Sequence, residues 1–163
     1  MAERVDGRST ARTDGTAQPA TAQDTVALGA QLGAHLRAGD VVVLSGPLGA
    51  GKTVLAKGIA MAMDVEGPVV SPTFVLARVH RARQPGRPPM VHVDMYRLLD
   101  QPGADLLGEL DALDLDTDLD DAVVVVEWGE GLAERLSESH LDIHIDRGSD
   151  TDTRTVTWHW SRT

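Results

Sequence analysis

The sequence predicts an α/β fold built on a mixed, partly antiparallel sheet. Three observations predict it. An apolar run at 41–44 leads into a glycine-rich turn and then a helix-favouring segment. A second run without a polar face lies at 123–126. Near the C-terminus, Leu141, Ile143 and Ile145 alternate with polar residues, and so do Val156, Trp158 and Trp160. Unbroken apolar runs read as strands covered on both faces, and alternation reads as strands with one wet face.

Taken in order, residues 1–20 are mostly Thr, Arg, Asp, Gly and Ala without periodicity, and read as a disordered tail. Order is expected to begin near Thr21, with a folded domain over 21–163. Thr21-x-x-Asp24 has the form of a helix capping box. Leu28, Leu32 and Leu36 then make one apolar stripe, and Gly39 supplies a stop. Residues 41–44 form a strand, 46–51 a turn, and 52–63 a helix that 64–68 breaks. Strands at 75–79 and 90–94 flank a Pro/Gly/Arg loop and read as a hairpin. Helices are expected over 104–113 and 131–137.

Composition narrows the function. The 163 residues suffice for one domain, and 25 acids against 15 Lys and Arg leave a net charge of −10. That balance argues against a broad nucleic-acid or anionic-membrane surface. The absence of cysteine excludes disulfides, thiolate zinc sites and thiol nucleophiles. Runs of Val, Ile and Leu do not exceed four residues, too short for a membrane span or a secretory signal, so a cytoplasmic protein is expected. Hydrophobic content of 42% with 3% aromatic predicts an aliphatic core.

The chemistry is carried by Gly46-Pro47-Leu48-Gly49-Ala50-Gly51-Lys52-Thr53, which fits the P-loop pattern G-x-x-x-x-G-K-[ST]. Consecutive backbone N–H groups must turn inward around phosphate oxygens, and glycine permits that turn. The following helix points its positive end at the anion. Lys52 reaches the β- and γ-phosphates, and the Thr53 hydroxyl ligates Mg²⁺. Gly46, Gly49, Ala50, Gly51, Lys52, Thr53 and Val54 are the expected nucleotide contacts. Asp94 and Glu127 end apolar strands, where ligand sites of parallel sheets lie, and are the candidate catalytic and metal-binding acids beside Lys52. Thr73, in Ser71-Pro72-Thr73-Phe74, is placed to sense a γ-phosphate as a switch threonine does.

In that order, the P-loop, Ser71-Pro-Thr-Phe74, His92-Val-Asp-Met-Tyr-Arg-Leu98 and Val126-Glu-Trp128 resemble the TsaE family, also called YjeE. The likeness runs over about 21–156. It implies a three-layer P-loop NTPase fold with a partly antiparallel sheet. It further implies slow, Mg²⁺-dependent ATP hydrolysis supporting a partner transferase, TsaD with TsaB, that places a threonylcarbamoyl group on the tRNA adenosine beside the anticodon. By that likeness Thr53 and Glu127 hold Mg²⁺, Asp94 serves hydrolysis, and Trp128 shapes the site. Arg154 then matches a late arginine near the nucleotide, and 21–25 lies near the adenine. The chain departs from the family pattern at Pro47, where an acid is common, and at Gly129, where proline is frequent.

Other features read as structural. Seven acids and no base lie between Glu109 and Asp121; a calcium-loop reading of Asp114-x-Asp116-x-Asp118 fails because Leu119 takes the glycine position. Arg78, Arg81, Arg83 and Arg87 read as a solvated hairpin tip, with tRNA or partner contact as the alternative. His80, His140, His144 and His159 form no metal motif and read as surface or strand residues; His92, two residues before Asp94, reads as core packing, with support of the site as the alternative. A nucleotide-gated adaptor with little need for turnover is the alternative function. A GTPase would need an Asn-Lys-x-Asp reader, and neither Lys52 nor Lys57 lies in one. No acceptor pocket or arginine-rich lid supports a small-molecule kinase.

Overall fold

Val41, Val42, Val43 and Leu44 offer no polar face, so the strand they form has to be covered on both sides. The computed structural model describes residues 12–47, 49–70, 77–95, 119–127, 139–147 and 153–162. Among these the chain runs β1 (Gly15–Ala17), α1 (Ala22–Gly33), β2 (Val41–Ser45), α2 (Lys52–Met63), β3 (Ala77–His80), β4 (Met90–Asp94), a 3₁₀ turn (Leu119–Asp121), β5 (Val123–Glu127), β6 (Ser139–Arg147) and β7 (Arg154–Arg162). The strands form one sheet in the order β1-β7-β6-β2-β5-β4-β3. The inner four, β6, β2, β5 and β4, are parallel. β3, β7 and β1 join antiparallel at the edges. This is the mixed sheet of a P-loop NTPase. The expected helices at 104–113 and 131–137, and the acids at 109–118, lie outside the described residues.

Each face of the sheet buries its own apolar set. Val42, Leu44, Val123, Val125, Leu141 and Ile143 pack with Leu28, Leu32, Leu55 and Ile59 of the two helices. Val41, Val43, Val91, Val93, Val124 and Val126 form a second cluster on the opposite face. Burial of each such side chain contributes about 1.5–3 kcal/mol, so the double coverage of β2 and β5 is the main local stabilisation of the centre.

α1 begins as its capping pattern predicts, with Thr21 Oγ1 accepting from the Asp24 N–H at 3.1 Å. Its end differs. The helix stops at Gly33, with the Ala34 N–H reaching back to Ala30 O, and Leu36 packs on the core from beyond it. Gly39 does not cap the helix; it takes a φ of +92° in the turn entering β2, where its N–H bonds Ala122 O at 2.8 Å. Sequence periodicity sees Leu36 in phase with the stripe and cannot see that the backbone has already turned.

The two helices touch backbone to backbone. A Cβ at Gly58 would stand 2.1 Å from Val26 O, and one at Gly29 2.3 Å from Leu55 O.

The reading of 1–20 as a tail needs correction over its described part. β1 pairs with β7 in the register Gly15↔Trp158. Arg12 forks onto Asp40 at 2.6 and 3.2 Å and lies 4.5 Å from the Trp160 ring centroid. The Asp14 carboxylate accepts from the Trp160 N–H at 2.8 Å. Local composition shows none of this, because the partner strand comes from the other end of the chain. β6 joins the two parts of the sheet, parallel to β2 and antiparallel to β7.

The hairpin of β3 and β4 forms in the expected antiparallel register. Its loop is more than a solvated tip: Glu66 N–H bonds Arg81 O at 2.8 Å and Arg83 N–H bonds Asp64 O at 3.0 Å, lacing it to the exit of α2. His80 and His140, read as surface or strand residues, are strand residues that are buried. His80 Nδ1 lies 2.9 Å from Glu66 O, which can only accept, so Nδ1 carries the proton.

Two predictions follow from this packing. Gly58→Ala should cost about 1–3 kcal/mol in chemical denaturation, because the added methyl meets backbone rather than a movable side chain. Burial lowers the His80 pKa below its ordinary 6.5, so the fold holds it neutral. That contribution is complete above pH 6.5 and is lost as pH falls through the folded-state value. The melting temperature should therefore drop more between pH 7.5 and 5.5 in the wild type than in His80→Leu.

Candidate functional site

β2 ends at Ser45 and the chain turns through 46–51 into α2. Gly46, Gly49 and Gly51 take φ of +143°, +79° and +110°, a region side chains resist. At Gly46 space forbids a side chain as well, since a Cβ would meet Ile145 O at 2.3 Å. No side chain caps the α2 N-terminus at Gly51. The first-turn N–H groups of a helix have no intrahelical acceptor, so this end is open to an anion.

Lys52 folds back over the turn, its Nζ donating to Gly46 O at 2.8 Å and Pro47 O at 2.9 Å. Burial lowers its pKa, and the negative charges of Glu127 and Asp94 oppose that shift. Thr53, next on the helix, places Oγ1 3.1 and 3.3 Å from the two Glu127 oxygens. Glu127 ends β5 and is only 3% exposed. Its Oε2 lies 2.5 Å from His92 Nε2, and its backbone O accepts from the Met95 N–H at 2.9 Å. Asp94, buried at the end of β4, stands directly across from Glu127 in the sheet register.

The donor set fits a hard divalent cation. Thr53 Oγ1 and the Glu127 carboxylate are oxygen ligands held together, with a second carboxylate alongside. Among the described residues no three His, Asp or Glu side chains assemble into a complete metal site. A cation here would complete its shell with phosphate oxygens and water, which is the habit of Mg²⁺.

Beside the loop opens a cavity of about 440 Å³ lined by Thr21, Thr25, Gly51, Val54 and Arg154, among others. Arg154 joins its walls: its Nε donates to Ala50 O at 3.0 Å and its backbone N–H to Pro19 O at 3.0 Å. A second cavity, about 410 Å³, lies at the far end of α2 by Met61 and Arg83, away from these acids.

The structure thus gathers Lys52, Thr53, Asp94 and Glu127 at one end of the sheet, with Gly46, Gly49, Ala50, Gly51, Val54 and Arg154 around the turn. Thr73 and Trp128 lie outside the described residues. His92, two residues before Asp94 on the same strand face, meets the site through Glu127, so the supporting role that its spacing offers as the alternative to packing has a contact behind it.

The family model for threonylcarbamoyl adenosine biosynthesis protein TsaE matches residues 19–156. The chain belongs to the TsaE family. A Mycobacterium tuberculosis relative described as tRNA threonylcarbamoyladenosine biosynthesis protein TsaE is 73% identical over 148 residues, covering 91% of this chain and 88% of the relative. A Streptomyces coelicolor TsaE is 54% identical over 120 residues, 74% of this chain and 77% of the relative. The crystal structure of Bacillus subtilis YdiB superposes with a TM-score of 0.67 at 27% identity, covering 93% of this chain and 87% of that one.

The lysine contacts of this TsaE-family chain carry a prediction. Lys52→Ala removes both donors that close the turn, each worth about 1.5–3 kcal/mol as a charged hydrogen bond. Amide exchange at residues 49–53 should accelerate by about tenfold or more, read by hydrogen–deuterium exchange of the nucleotide-free protein.

Proposed function

We propose that this TsaE-family chain hydrolyses ATP with Mg²⁺, and that turnover supports threonylcarbamoyl transfer to tRNA by a partner complex of TsaD and TsaB. The observation that carries the reading is the approach of Thr53 Oγ1 to the Glu127 carboxylate, 3.1 Å, at the mouth of an uncapped glycine turn that holds Lys52.

The α2 N-terminus binds phosphate oxygens through its open N–H groups. Lys52 exchanges the carbonyls of Gly46 and Pro47 for the β- and γ-phosphates. Thr53 and Glu127 hold the cation, which when bound offsets charge between those phosphates. Asp94, across the sheet from Glu127, orders the attacking water. The cavity by Thr21, Thr25 and Arg154 takes the nucleoside. Turnover by the isolated chain is slow, and the partner completes the site. Contact with tRNA is indirect, through that partner. Among the described residues no helix is long and apolar enough to cross a membrane. A cytoplasmic location suits this role.

Two measurements test the reading. Lys52→Ala should abolish ATP binding in calorimetry, and Glu127→Ala should lower Mg²⁺-dependent phosphate release by about 100-fold or more. Unchanged ATPase rates in both variants would overturn it. In reconstitution with TsaD and TsaB, ATP should sustain repeated rounds of modification and a non-hydrolysable analogue should not. Many rounds with the analogue would favour a nucleotide-gated adaptor instead.

A further inference from the structure

We propose that His92 is a positioning residue whose Nε2–H holds one oxygen of Glu127 and thereby presents the other to Thr53 and the cation. This rests on the reading of Glu127 as a metal ligand.

His92 lies on β4, fully buried, with its neighbours Val91 and Val93 and the strand's first residue, Met90, all apolar and buried. A side chain needed only to fill this space would be apolar too. Instead an imidazole is kept, and its Nδ1 is buried without a hydrogen-bond partner among the described residues. Such a nitrogen is a standing cost, and what it accompanies is the bond at the other end of the ring. Nε2 sits 2.5 Å from Glu127 Oε2. An ionised carboxylate only accepts, so Nε2 carries the proton and donates.

The register makes the contact. His92 pairs with Val125, and Asp94 with Glu127, so the imidazole lies one step back from the carboxylate on the same face. With Oε2 engaged, Oε1 is the oxygen nearer Thr53, at 3.1 Å against 3.3 Å.

The test is Mn²⁺ binding followed by electron paramagnetic resonance, with a non-hydrolysable ATP analogue bound to the full chain. His92→Phe should weaken Mn²⁺ binding about 10- to 100-fold while metal-free analogue affinity changes by less than about twofold. His92→Gln, whose amide N–H reaches a similar position, should recover Mn²⁺ affinity to within about threefold of wild type. His92→Asn, with a shorter reach, should not, and the Gln/Asn contrast decides the matter if the phenylalanine variant fails to fold. Wild-type Mn²⁺ affinity in folded His92→Phe, or equal losses in the Gln and Asn variants, would overturn the proposal. Glu127→Ala separates the two layers. If it retains Mn²⁺ affinity, the metal reading falls and this inference with it; if it loses affinity while His92→Phe does not, only the role of His92 falls.

Discussion

The parallel register of β2, β5 and β4 governs everything at the site. Leu44 pairs with Glu127, and Glu127 with Asp94, so β5 and β4 end side by side, one residue short of the end of β2. A slip of one residue in β5 would send Glu127 to the other face of the sheet. That register is held by burial: Val42, Leu44, Val123 and Val125 must meet the helices while Val41, Val43, Val124 and Val126 meet the second cluster. Because both faces are apolar, alternation alone does not choose between them. The choice is made where polar residues enter, at His92, Asp94 and Glu127, all turned toward the P-loop.

The acids and the lysine show how charge is managed in a nearly closed space. Lys52 is 5% exposed and Glu127 3%. Lys52 donates to carbonyl oxygens of the turn, and the Glu127 carboxylate meets a hydroxyl and an imidazole. Neutral partners exchange for a ligand at less cost than a buried ion pair does.

What was legible in the sequence follows from the range of the interactions involved. The turn at 46–53 is local chemistry, so its glycines, Lys52 and Thr53 are readable one by one. Doubly buried strands declare themselves through unbroken apolar runs, and strand-end acids through their position. Contacts that join distant segments leave weaker traces. Gly29-x-x-x-Gly33 on α1 and Gly58 on α2 are a close-approach pair, but small residues at helical spacing suggest this only once the helices are known to be neighbours. β1 looked like tail because its three residues have no apolar pattern, and its hydrogen bonds go to β7. His92 was read as packing because a lone buried histidine usually is; only the distance to Glu127 distinguishes the two roles.

The pairing of Gly15 with Trp158 has a consequence for biogenesis. During synthesis β1 is made well before its partner, so this sheet edge stays open until β7 follows. Contacts of such high sequence separation form late and at an entropic cost that local elements do not bear. Ala20 follows β1 into the cavity wall, and Arg154 opens β7 with its N–H on Pro19 O. A nascent chain can thus shape the glycine turn early, yet the cavity wall at Arg154 waits for β7.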